Sequence, residues 1–167
     1  MPVTITTPRS LGRLAAPLRA LVARVLRSER RRPGEIGLAL SDDTLLRQIN
    51  RDWRGIDRAT DVISFAYDEN LPLPASAPSP PVRGDVLISM DRMHVQAKRY
   101  RVTPGAELAR LVVHGTLHLC GHDHAQAVER ARMRSRERAL LREARGEARA
   151  LDRVLADASL NGRGHGR

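Results

Sequence analysis

TPGAELARLVVHGTLHLCGHDH, residues 103–124, is the stretch on which both the fold and the chemistry of this chain turn. Thr103 can cap a helix through its side-chain oxygen, and Pro104 suits the first helical position, where its missing N–H costs nothing. The spacing predicts a helix from Thr103 to Leu119. On it, His114 and His118 lie four residues apart, so their imidazoles leave the same face one turn apart. Gly121 can adopt the left-handed conformation that ends a helix and turns the chain back. That turn lets His124 approach the same point from outside the helix. Three neutral imidazoles meeting at one point suit zinc, one ion per chain, and leave a fourth tetrahedral position for water. A structural zinc site would want four protein ligands, often cysteines, and Cys120 is the only cysteine. The open position points to catalysis, because zinc lowers the pKa of bound water to roughly 7.

The other polar residues of this segment read differently. Asp123 is either an acceptor that orients a ligand imidazole or a turn residue. His122 falls off the ligand spacing and reads as turn or surface. Cys120 reads as a small apolar group in the packing. His94 and His165 have no companion ligands nearby in sequence and read as non-functional.

Outward from this segment, the chain alternates strand and helix signals. Val3 to Thr7 reads as an edge strand ended by Pro8. Leu18, Leu21, Val22, Val25 and Leu26 predict a helix starting near Pro17 and closing in the run Arg27 to Arg32. Ile36 to Leu40 reads as a short buried strand, and Ser41, Asp42 and Asp43 offer caps for a helix to about Trp53. A loop, Arg54 to Asp61, leads to the strand Val62 to Phe65. Residues 71–81, LPLPASAPSPP, read as a Pro-rich loop insert. GDVLIS (84–89) reads as a further strand and Asp91 to Tyr100 as a helix. A last long helix is expected from about Gln126 to Leu155. These elements make one mixed α/β domain over residues 1–156, with about four strands and about five helices. Residues 157–167 are expected to form a disordered tail.

The formal net charge is +10, from 29 basic and 19 acidic residues, and Lys98 is the only lysine. Such a balance favours a polyanionic partner, because each Arg that meets a phosphate releases a counterion; GC-rich coding bias is the plain alternative. Aromatic residues are only 2% of the chain, so no surface can offer rows of stacking rings. One cysteine permits no internal disulfide, which fits a reducing compartment. The segment MPVTITTPRS lacks a secretory pattern, and no apolar run approaches the roughly 20 residues that span a bilayer. The expectation is a cytoplasmic protein with no membrane association.

Zinc peptidases share the spacing His-x3-His-x2-Gly-x2-His, but they carry a Glu directly after the first His as general base. Here that position is Gly115, so the proton-handling half of peptide hydrolysis is missing. Phosphodiester hydrolysis fits better, because zinc and a positioned arginine match the charge that grows in its transition state.

Three blocks of the sequence carry a resemblance. They are NRDWRGIDRATDVISF (50–65), GDVLIS (84–89) followed by Gln96-Ala97, and ELARLVVHGTLHLCGHDH (107–124). In this order they resemble the YbeY-type endoribonucleases of bacterial ribosomal RNA maturation, over about half of the chain. The resemblance implies a small α+β fold with a cleft over zinc, His114, His118 and His124 as ligands, and Arg54 as the functional arginine near the metal. It also implies a cytoplasmic, zinc-dependent endoribonuclease specific for single strands. Its work would be 16S rRNA 3′ end maturation and small-subunit quality control, with assembly proteins as partners and no DNA substrate. Taken without the resemblance, Arg54 is a solvated loop residue. Trp53, Ala59 and Ala66 depart from the family's usual Tyr, Pro and Pro. A ribosome-assembly factor stabilised by metal, with no essential cleavage, shares every one of these features. Arg130 to Arg138 look like an RNA-gripping stripe, but alternate helical residues diverge, and Glu129 and Glu137 dilute the run.

Overall fold

The computed structural model describes residues 3–67, 74 and 76–162, with the backbone alone for residue 162. A four-stranded mixed sheet carries the site. Its strands are β1 (Val3–Thr6), β2 (Pro33–Ser41), β3 (Val62–Ala66) and β4 (Val82–Ser89), in the order β1-β2-β4-β3. β1 and β4 run parallel to β2, while β3 lies antiparallel to β4 at the far edge. In β2 the alternation is clean: Ile36, Leu38 and Leu40 are buried, and Gly37 and Ala39 face the other side. That period of two is what a sheet covered on one face requires.

Among the described residues, a 3-10 turn (Arg9–Leu14) and six α-helices complete the domain: α1 (Ala15–Ser28), α2 (Asp43–Arg54), α3 (Met90–Tyr100), α4 (Pro104–Leu119), α5 (Ala127–Glu143) and α6 (Arg145–Gly162). Three of them start on side-chain caps, and two of these, Asp42 and Thr103, are caps that the sequence offers. Asp42 accepts the Leu45 N–H at 2.9 Å, Ser89 the Arg92 N–H at 3.1 Å and Thr103 the Ala106 N–H at 3.1 Å. α4 is the central helix, packed against β3, β4 and the helices α1, α3, α5 and α6. Leu108, Leu111, Val112, Val113 and Leu117 on it are fully buried. After Pro104, only Ala106, Arg110, His114 and His118 keep partial exposure on this helix. Those four positions recur every four residues and form one stripe, and the stripe ends at the site.

Two expectations about the helices change. The long helix predicted for 126–155 is two helices, broken at Ala144 (φ −97°, ψ 20°). Met133, Leu140, Ala144, Leu151 and Leu155 are all buried, so their spacing reads as one helix although the chain bends between them. The bend packs α6 against α4 and α1, and the Gly105 N–H donates to Asp152 Oδ1 at 2.6 Å. α6 also continues to Gly162, beyond the expected end near Leu155. α1 ends at Ser28, inside the run Arg27 to Arg32, and Arg30 just past it takes a left-handed φ of 54°. Most of the Pro-rich segment from 71 to 75, and residues 163–167, lie outside the described residues.

Candidate metal centre

The helix end that places the third histidine is built by backbone hydrogen bonds. The Gly121 N–H donates to the His118 carbonyl at 3.0 Å, and the His122 N–H reaches back to the Leu117 carbonyl at 3.1 Å. Gly121 sits at φ 100°, a conformation that side chains oppose. This double closure is a Schellman turn. It sends His124 back over the face that carries His114 and His118.

The three rings close on one another. The His118 ring centroid lies 4.9 Å from those of His114 and His124, and His114 and His124 are 5.9 Å apart. Each ring offers one nitrogen, and these nitrogens all lie within 4.8 Å of one another, so the group can hold a metal ion. The His118 ring suits ligation. Burial, with His114 and His124 close by, pushes the His118 imidazole down to about 4, so it is neutral at pH 7.

Glu137, on α5, completes the arrangement. Its Oε2 lies 3.0 Å from His114 Nδ1, which fixes that nitrogen as the one carrying the proton and leaves Nε2 for a ligand. Arg110 Nη1 stands 3.7 Å from Glu137 Oε1, and Arg110 also bonds the buried Glu107, which accepts from Gln96 at 3.0 Å. Glu137 reads in the sequence as a residue that merely dilutes a basic run. Its signal was its place four residues after Met133, on the buried face of α5. Glu107, an acid among apolar neighbours on a central helix, carried the same kind of signal.

The neighbouring candidates resolve individually. The Asp123 carboxylate accepts the His124 N–H at 2.7 Å and is exposed, so it acts as a turn residue. His122 lies in the turn as expected, but its ring is tucked in, 3.0 Å from Glu29 Oε2, while Glu29 Oε1 accepts from Arg136 Nε at 2.9 Å. Burial pushes the Cys120 thiol up to about 11, and it stands outside the three-histidine group. His94 is exposed on α3, and His165 lies outside the described residues. Arg130 Nη1 donates to the His124 and Ala125 carbonyls at 3.2 and 3.3 Å and ties the loop to α5.

Arg54 reaches the same place from the opposite side. It belongs to the last turn of α2, which Gly55 ends at φ 69°, and is not part of a loop. Its Nη2 donates to the Ser64 carbonyl at 3.2 Å, and its guanidinium lies 5.8 Å from the Phe65 ring centroid. Arg54, Asp61, Ser64 and the three histidines line one cleft of about 480 Å³. Gly115 forms part of the contact between α4 and the sheet. A Cβ there would stand 2.6 Å from Val86 Cγ1 and 3.2 Å from Ser64 Oγ, and Ser64 donates to the Gly115 carbonyl at 3.2 Å. The glutamate of a zinc peptidase is missing, and any side chain in its place would have to displace Val86.

Fold and site together define a small α+β protein with a three-histidine centre facing an arginine across a cleft. The chain belongs to the Endoribonuclease YbeY family, whose model matches residues 9–145. It is 42% identical over 142 residues to the endoribonuclease YbeY of Myxococcus xanthus, covering 84% of this chain and 47% of that protein. The chain thus spans about half the length of that relative. It is 45% identical over 122 residues to the endoribonuclease YbeY of Chloroflexus aurantiacus, covering 71% of this chain and 79% of the relative. The solution structure of TM1509 from Thermotoga maritima shares the fold, with a TM-score of 0.62 at 24% identity over 89% of this chain and 92% of that one.

Proposed function

We propose that this chain is a zinc-dependent, single-strand-specific endoribonuclease that acts in 16S rRNA 3′ end maturation and small-subunit quality control. The observation that carries the reading is the placement of Arg54 and the three-histidine group on facing walls of one cleft. His114, His118 and His124 would hold the ion, and the all-imidazole donor set suits zinc. Zinc bound this way supplies a water acidic enough to be deprotonated at neutral pH. Glu137 keeps the His114 ring in the ligating tautomer and orientation. Arg54 binds the scissile phosphate and stabilises the charge that grows on its oxygens, with the guanidinium held in place by the Ser64 carbonyl and the Phe65 ring.

The net charge of +10 supports an RNA substrate and the small ribosomal subunit as partner. An unpaired strand can bend its backbone into a cleft of this size, whereas an A-form duplex presents a stiff frame to it. Cytoplasmic work belongs to the same reading; among the described residues no helix is long and apolar enough to cross a membrane.

The test uses a single-stranded RNA carrying the 3′ precursor end of 16S rRNA, with zinc-loaded and chelated protein and mapping of the product ends. Cleavage should vanish on chelation and return with added zinc. Equal cleavage with and without metal would overturn the reading, and so would an intact RNA under both conditions.

A further inference from the structure

Among the described residues, Trp53 is the most exposed large apolar side chain, at 76%. It is also the only tryptophan of the chain. An indole left so open removes little apolar area from water, so the fold gains little from keeping it there. Its position gives it a use. Trp53 precedes Arg54 on the last turn of α2, and its ring meets the edge of Phe65 at 6.2 Å between centroids. The Arg54 guanidinium lies over that same Phe65 ring. Trp53, Phe65 and Arg54 therefore form a continuous row that runs from open surface to the wall of the metal cleft. Arg51 and Arg58 are exposed close by in sequence, but so are Asp52 and Asp57, and Arg51 Nε lies 3.4 Å from Asp52 Oδ1, so the positive charge joined to the ring through Phe65 is that of Arg54. A planar ring beside positive charge fits a ligand that joins flat aromatic groups through phosphates.

We propose that Trp53 is a base-stacking platform for single-stranded RNA and takes the base of a nucleotide adjacent to the phosphate held at Arg54. This rests on the endoribonuclease reading of the cleft. Stacking on an indole tolerates every base, because every base has a π face. A single platform therefore adds grip and register without reading sequence, in keeping with a chain whose aromatic content is 2%. The end of α2 sets the register: Trp53 and Arg54 are consecutive residues on one helix, so base and phosphate are gripped at a fixed separation.

The sole tryptophan makes the test direct. The intrinsic fluorescence of the full-length protein is titrated with a 2′-O-methyl single-stranded oligonucleotide, with and without zinc. The same oligonucleotide lacking its bases, and a duplex of equal length, serve as comparisons. Saturable quenching by the single strand is expected, with little from the abasic strand or the duplex. By anisotropy of a labelled single strand, Trp53→Ala should weaken binding roughly tenfold, and Trp53→Tyr should restore most of it. On cleavable RNA, the Ala variant should raise KM more than it lowers kcat. Equal quenching by all three polyanions would overturn the proposal. So would unchanged single-strand affinity in Trp53→Ala, which would assign the exposed indole to a protein contact instead. Binding is read without turnover. A protein that stacks RNA on Trp53 but never cuts it would sink the nuclease reading alone, and a cutting enzyme indifferent to Trp53 would sink the platform alone.

Discussion

The two walls of the cleft are built to different standards. The metal wall is made by α4 and the turn after it. Its histidines are set by a Schellman turn, by a ring-to-carboxylate contact with Glu137 on α5, and by the Arg130 contacts to the loop. The facing wall is the exposed end of α2, where Arg54 is held by one carbonyl and one ring face. A metal site tolerates little positional error, so its ligands are anchored by the core. On the proposed reading Arg54 would follow a moving phosphate, and such a residue gains from a looser seat. The difference implies that changes on the first wall alter metal content, and changes on the second alter rate with the metal in place.

Removing a ligand should have the largest effect. His118→Ala is expected to lose stoichiometric metal and all RNA cleavage, while His122→Ala keeps one ion per chain; metal analysis of dialysed protein decides this. Equal metal in the two variants would show that the wall is not organised around His118. Next comes Arg54→Ala, expected to retain zinc and the wild-type thermal transition but to lose about 10² or more in rate. Wild-type turnover by that variant would remove Arg54 from the phosphate.

Glu137→Gln sharpens the comparison from inside the metal wall. It should weaken zinc binding by about 10- to 100-fold in competition with a chromophoric chelator, and leave the rate at saturating zinc far less changed. An unchanged zinc affinity would show that the 3.0 Å contact to His114 does not orient it.

The smallest effect is a pH dependence of the chelated protein. His118 titrates at about 4 in the folded chain, against an ordinary value of 6.5. Between those values the unfolded chain binds more protons, so this residue's contribution is present above about pH 6.5 and is lost as pH falls towards 4. Denaturant midpoints should therefore fall on acidification across that window, and more shallowly in His118→Gln than in wild type. Identical slopes would place the His118 ring in a more solvated setting than the structure shows.

Much of this site could be read from residue order alone, because helical periodicity and glycine conformations act over a few residues. The histidine spacing, the Gly121 turn, the caps Asp42 and Thr103, and the strand alternation in β2 are all local, and local geometry carries them into the fold unchanged. Contacts made across the chain are a different matter. Glu137 meets His114 because Ala144 bends the chain and α5 lies along α4, a bend hidden by an apolar spacing that continues through both helices. The row from Trp53 to Arg54 needs β3 to bring Phe65 beside α2, and no interval in the sequence encodes that meeting. Gly115 could be read as a missing catalytic acid, but only the packing of α4 on Ser64 and Val86 shows that a Cβ there would crowd the sheet. Residues adjacent along the chain determined where the metal ligands point. The tertiary packing decided what stands behind them and what faces them, because those partners are chosen by which surfaces exclude water together.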